Sequence, residues 1–507
     1  MSSVLPIEAM RRLFALGPAL FLLAACGGDE SAVAPSQGAT GGASAAGGSG
    51  VAGNGVGGGT AGSGIGGGSS GSGGSSGSGG SGIGGGSSGS GGSSGGGGAP
   101  VVVPIPDAVS MSGIKHVVLI LQENHTFDNH FGRYCTAAPG SNPTCTDGPA
   151  CCEAAPMVDP GTKMPVGVLD DAANAKRDPN HTAACETAEY NGGAMDAFVS
   201  APCGNIGNVL VGDAATMQPY WDMASQGAIA DRYFHSLIGQ SSANDMYFAR
   251  ASYVFTDNDE TPDSIGASCA FSKKPKDHTE TTIADLLVAA KVPWATYIEG
   301  YQATLDAVAA GTCPDKPADC AGPFKFYPCT YDPSDVPFQY YPSLRDNPLY
   351  FHDTSRFAAD VAGGALPAFT MVRSVGYHSE HPGFGTTISA GQEFVKSIVA
   401  AVANSAYASS TLILVTYDEG GGYFDHVSPP PTSKVDGKPY GARVPMIALG
   451  PLARKNYVSH VVMEHSSVVK FVEWNWLGGV TGQLGTRDAT VANLGSLIDP
   501  AQNVPVQ

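Results

Sequence analysis

The chain has 507 residues, with 45 Asp and Glu against 26 Lys and Arg, a formal net charge of −19. Nucleic-acid binding requires basic patches that release phosphate counterions, and attraction to an anionic lipid surface requires the same sign of charge, so this balance excludes both. What remains open is a zwitterionic or small ligand.

In chain order, Arg11 and Arg12 precede an apolar run, residues 13–25, too short to span a bilayer comfortably. It ends in Leu23-Ala24-Ala25-Cys26, which resembles a bacterial lipobox and implies cleavage before Cys26 and lipidation of that cysteine. Residues 1–25 are therefore expected to be a lipoprotein signal peptide. Gly27 behind the cysteine favours the outer membrane of a two-membrane cell. Residues 37–98 are almost entirely Gly, Ser and Ala, a composition that cannot bury enough apolar surface to offset its ordering entropy. The expected organisation is a flexible tether over 26–103 and one folded domain over 104–507, long enough for a large α/β unit.

Ile114–Leu121 is apolar and β-branched without alternation, the pattern of a strand buried on both faces. It is followed by Glu123 and Asn124. Ten cysteines besides Cys26 lie between residues 135 and 329. Behind an export signal, an even number implies disulfides that staple insertions, and a zinc cluster around Cys145–Cys152 is the alternative. Helices are expected over Gln218–Ala228, Thr281–Lys291, Ser355–Ala362, Gly391–Ser405 and His465–Trp476. Buried strands are expected over Val292–Glu299, Leu366–Arg373, Thr411–Tyr417 and Val444–Gly450. Glu299, at the end of its strand, is read as structural. Such alternation indicates a three-layer α/β/α domain with a mostly parallel sheet, whose ligands gather beyond the carboxyl ends of the strands. Thr411–Tyr417 ends on Asp418 and Glu419, then three glycines, Asp425 and His426. Acids followed by glycine at a strand end suit a cation, because carboxylate oxygens ligate it and glycine lets backbone approach.

The segments IKHVVLILQENHTFDNHFG (114–132) and TLILVTYDEGGGYFDHVSPPP (411–431) resemble the bacterial phosphoesterase family of phospholipases C and acid phosphatases. His125 and His130 replace an Arg and a Tyr of the family pattern, and neither is given a role. The resemblance implies an alkaline-phosphatase-like architecture with disulfide-bearing insertions. It also implies one divalent cation of unknown identity, held by Glu123, Asn124, Asp418, Glu419 and a hydroxyl nucleophile. In DRYFHSLIGQSSAND (231–245) the nucleophile position falls on Ser241, with Ser242 as fallback, although two prolines and an arginine of the family pattern are missing. RDPNH places His181, YFHD places His352 and SEHP places His381 where phosphate-holding histidines are implied. His381 or His426 is then the acid that protonates the leaving oxygen. The expected activity is hydrolysis of a phosphoester, on a phospholipid headgroup or a small monoester, through a phosphoserine, by a protein lipid-anchored to the cell envelope. The alternative is a catalytically silent surface lipoprotein that uses the same fold for adhesion.

Overall fold

A computed structural model describes residues 102–269, 274–320 and 323–507. The expected signal peptide over 1–25 and nearly all of the expected tether over 26–103 lie outside the described residues.

An eight-stranded sheet organises the domain. Its strands are β1 (His116–Gln122), β2 (Ala228–Ala230), β3 (Trp294–Ile298), β4 (Phe351–Asp353), β5 (Phe369–Arg373), β6 (Thr411–Tyr417), β7 (Met446–Leu449) and β8 (Tyr457–Ser459). The spatial order is β8-β2-β7-β6-β1-β5-β3-β4. Every pairing is parallel except those of β7, which runs antiparallel to both β6 and β2. All seven residues of β1 and of β6 are buried. The reason is visible in β1. Val117, Leu119 and Leu121 point into one apolar cluster, and Val118 and Ile120 into the other. Side chains alternate across a strand, so covering both faces removes any polar alternation from the sequence.

Helices α2 (Ser241–Arg250), α3 (Ile283–Ala289) and α5 (His465–Trp476) supply the first cluster through residues such as Tyr247, Leu287 and Phe471. Helices α1 (Ala214–Gln226) and α4 (Ile388–Ala403) supply the second through Met217, Tyr220 and Ile398. Each fully buried Val, Leu, Ile or Phe contributes roughly 1.5–3 kcal/mol, so the two clusters hold the three layers together. The expected α/β/α layering is present.

All ten cysteines outside Cys26 are paired, as 135–152, 145–151, 185–203, 269–313 and 320–329. They staple the insertions, as expected. The zinc alternative falls, because Cys145, Cys151 and Cys152 are all in disulfides and offer no thiolate.

Candidate active site

The register of the sheet builds the site. Gln122 pairs with Tyr417 across β1 and β6, and Leu121 pairs with Arg373 across β1 and β5. Neighbouring strands lie ~4.8 Å apart, so Glu123–Asn124 and Asp418–Glu419 leave adjacent strands at the same level. The Asp418 N–H donates to the Gln122 carbonyl at 3.1 Å, which fixes the first residue beyond β6. From behind, His465 Nε2 meets the Asp418 carbonyl at 2.7 Å. Burial holds His465 neutral, its pKa pushed down to about 3, so the ring donates there. The turn beyond Glu419 needs glycine at position 421. Its φ is +66°, and a Cβ there would meet the Asn124 carbonyl oxygen at 2.3 Å.

Ser241 opens α2 against this corner. Its hydroxyl donates to Asn124 Oδ1 at 3.4 Å. The N-terminus of this ten-residue helix faces the same corner, favourable to negative charge on the hydroxyl or on a group attached to it. Ser242 is held differently: its N–H donates to Asn258 Oδ1 at 2.9 Å.

The electrostatics of this corner are dominated by crowded acids. Glu123, Asp418 and Glu419 are at most 1 % exposed, and each keeps one carboxylate oxygen without a hydrogen-bond partner. Burial, then the neighbouring Glu123, pushes the Asp418 pKa up to about 7. Burial, Glu186 and Asp418 push Glu419 well above the ordinary range against the pull of His181. Buried oxygens with free lone pairs, next to an amide oxygen and a hydroxyl, form a donor set suited to a hard divalent cation.

His181 approaches from the 178–182 loop. Its Nε2 lies 3.6 Å from Glu419 Oε1, and its Nδ1 lies 2.8 Å from the Pro179 carbonyl and 3.4 Å from Asp178 Oδ1. Burial disfavours its charge, yet Glu419 and Asp178 outweigh burial and raise its pKa well above the usual value. His381, beyond β5, stands 6.0 Å from the His181 ring, its Nδ1 directed at the Pro382 carbonyl at 2.9 Å. Asp178, His181 and His381 bring ligand atoms within 4.8 Å of one another, a second group of suitable chemistry for a metal or, through the imidazoles, for phosphoryl oxygens.

Two expected residues are not brought here. His352 is on β4, at the sheet edge three strands from β1. Its partner Tyr297 pairs with Val372, which pairs with Ile120, so it faces the α1/α4 side, opposite Ser241. Its neighbours are the Tyr297 ring at 5.2 Å and Arg356 Nη1 at 3.5 Å. His426 belongs to a separate network: its Nδ1 is 2.8 Å from Asp128 Oδ2 and its Nε2 is 3.2 Å from Glu153 Oε2. Motif position alone suggested both residues. Their direction depends on strand order and loop course, which the motif does not carry. Glu299 does hold structure, through His378 Nδ1 at 2.8 Å and the Val375 N–H at 3.0 Å.

Three residues at the site were not singled out from sequence. Arg373 Nη2 lies 3.1 Å from Glu123 Oε1 and 2.8 Å from Asp245 Oδ2. The Tyr327 hydroxyl donates to Glu123 Oε2 at 3.1 Å, with its ring 5.3 Å from His381. The spacing Ser241-x-x-x-Asp245, one helical turn, was an available signal for Asp245. Nothing local marks Tyr327, which arrives on the 320–329 disulfide loop.

Carboxylates and an amide at the carboxyl ends of parallel strands, a serine at a helix N-terminus beside them and histidines opposite form a candidate hydrolytic site. The model of the Phosphoesterase family matches residues 114–477. The chain belongs to that family, and at family level it is a hydrolase of phosphoric esters. It is 28% identical over 426 residues to phospholipase C B of Mycobacterium tuberculosis, covering 76% of this chain and 78% of that one. It is 25% identical over 415 residues to the non-hemolytic phospholipase C of Pseudomonas aeruginosa, where it spans 54% of the relative. Among solved structures, a Vibrio parahaemolyticus protein of the alkaline phosphatase superfamily matches 76% of the chain at 12% identity and a TM-score of 0.32.

Proposed function

We propose that the protein is a metal-dependent phosphoesterase of phospholipase C type that works through a phosphoserine on Ser241. The observation that carries this is the meeting of Glu123, Asn124, Asp418, Glu419 and Ser241 at one corner, with carboxylate oxygens that are buried and lack hydrogen-bond partners. One divalent cation fits those five residues; bound there, it lowers the pKa of the serine hydroxyl and neutralises phosphoryl charge.

The remaining chemistry belongs to the chain. Ser241 Oγ, its proton released to water, attacks phosphorus, forming the O–P bond as the ester's alcohol oxygen departs. His381 protonates that oxygen, a contribution of ~10²–10⁴-fold for a placed general acid. His181, charged through Glu419 and Asp178, holds phosphoryl oxygens. Water then attacks the phosphoserine with His381 as base, releasing phosphate monoester and restoring the hydroxyl.

The phospholipid reading is supported by the names of the relatives, and the acidic surface favours a zwitterionic headgroup over an anionic one. The lipobox-like Cys26 supports anchoring to the cell envelope; among the described residues no helix is long and apolar enough to cross a membrane. The test is hydrolysis of phosphatidylcholine and of p-nitrophenyl phosphate by wild type and Ser241→Ala. Wild type should prefer the diester, and the variant should lose at least ~10³-fold in kcat on both with an unchanged melting temperature. A preference for the monoester makes the protein a phosphatase, and surviving activity in the variant removes Ser241 from its role.

A further inference from the structure

The Arg373 guanidinium reaches the margin of the carboxylate corner. Arg373 ends β5, is 1 % exposed, and faces α2 because its register partners Leu121 and Ile298 lie on that side of the sheet. Its Nη2 is 2.8 Å from Asp245 Oδ2, 3.1 Å from Glu123 Oε1 and 3.8 Å from Asp418 Oδ2, and its Nε donates to the Asp335 carbonyl at 3.0 Å. Only the contact to Asp245 also has hydrogen-bond geometry. Asp245 sits one turn along the helix that Ser241 opens.

One guanidinium thus faces three acids. Two of them are residues assigned above to the cation, and the third is on the nucleophile's own helix. We propose that Asp245 and Arg373 are a positioning pair that sets how tightly the corner binds a divalent cation and where Ser241 stands within it. The inference rests on the reading that Glu123 and Asp418 are ligands.

Arg373 competes with the metal for Glu123 and Asp418, because a fixed positive charge 3–4 Å from both carboxylates opposes a second cation there. Asp245 counters this by holding the guanidinium on the α2 side and cancelling its charge. The same bond pins α2 to β5, so the turn that carries Ser241 is registered against the strand ends. The two members therefore act with opposite sign on metal binding and the same sign on turnover. Simple loss of structure does not produce that pattern: a damaged fold weakens metal binding in every variant.

The experiment is calorimetric titration with Mn²⁺ of chelator-treated wild type, Arg373→Gln, Asp245→Asn, the double variant and Asp418→Ala. Kcat and KM for p-nitrophenyl phosphate are measured in parallel. Arg373→Gln should bind Mn²⁺ on the order of tenfold more tightly and Asp245→Asn on the order of tenfold more weakly. The double variant should return to within about threefold of wild type, since both charges are then gone. Both single variants should lose kcat with KM little changed. Metal affinities that shift in the same direction, or not at all, overturn the proposal. If Arg373→Gln does not fold, Arg373→Lys replaces it: charge retained, fork lost, Mn²⁺ affinity within about threefold of wild type and kcat reduced. A tenfold loss of Mn²⁺ affinity in that variant counts against the pair. Wild type whose Mn²⁺ binding is unaffected by Asp418→Ala would instead remove the ligand reading itself, a separate failure.

Discussion

Two buried acid clusters in this domain differ in how far their charge is compensated. The first is the corner of Glu123, Asn124, Ser241, Asp418 and Glu419. The second joins Asp128, Asp425 and His426 through Arg443, whose Nε is 2.8 Å from Asp425 Oδ1 and whose Nη2 is 2.9 Å from Asp128 Oδ1. Asp128, Asp425 and His426 bring ligand atoms within 4.8 Å of one another, so proximity by itself favours the second cluster. What separates them is that in the second the guanidinium already stands between the acids, with the ring of Phe127 4.5 Å below it. His426 and Arg443 hold Asp128 below the usual carboxylate range despite its burial. In the first, Arg373 reaches Glu123 and Asp418 only at its margin, and oxygens of both remain without hydrogen-bond partners. Proximity of acids and histidines finds the second cluster; asking whether the charge is closed identifies the first as the one with capacity for a further cation.

The comparison breaks most readily at its centre. Asp418→Ala should cost at least ~10³-fold in kcat, with metal binding lost and the melting temperature held or raised, because a crowded buried acid is gone. Arg443→Met should do the reverse. With Asp425 left buried without its ion-pair partner and Asp128 paired only with His426, it should lose roughly 3–5 kcal/mol of stability by chemical denaturation. The fraction that remains folded should keep its turnover. Equal behaviour of the two variants would dissolve the distinction.

A smaller effect sharpens it among the histidines. His381→Gln should lower kcat by ~10²–10⁴-fold. His426→Gln and His352→Ala, whose partners belong to other networks, should stay within about threefold for the folded enzyme, the range of a substitution outside the reacting groups.

The smallest effect is one of pH. Glu189 lies on the 183–190 helix behind His181, with Oε1 accepting from Asn208 Nδ2 at 2.8 Å. Burial pushes its pKa from 4.5 up to about 8. The folded pKa exceeds the unfolded one, so between those values the unfolded chain releases a proton that the folded chain keeps. Stability from this group is therefore complete below pH 4.5 and is lost as pH rises through about 8. Glu189→Gln should flatten the fall in melting temperature between pH 5 and pH 8; an unchanged slope would place the fall elsewhere.

Much of the scaffold was legible because it is locally dictated. Thr411–Tyr417 and His465–Trp476 have the bounds read from the sequence, since each is an uninterrupted apolar or amphipathic run with a clear polar stop. α1 begins at Ala214, earlier than expected. Its N-cap Asp213 accepts from the Ala215 N–H at 2.9 Å, and Pro219 lies inside the helix. The antiparallel course of Met446–Leu449 was not legible, because a buried run has the same period in either direction.

By itself the sequence marked the candidate groups: Glu123-Asn124 and Asp418-Glu419 at strand ends as oxygen donors, Ser241 as the candidate nucleophile, and His181 and His381 as their proposed complements. Only the tertiary structure decided that β6, β1 and β5 are adjacent, that Arg373 and Asp245 therefore join the corner, and that His352 and His426 do not. Local periodicity specifies which faces of an element are buried. Strand order and register arise from packing between segments distant in the chain, and they alone determine which polar ends share a pocket.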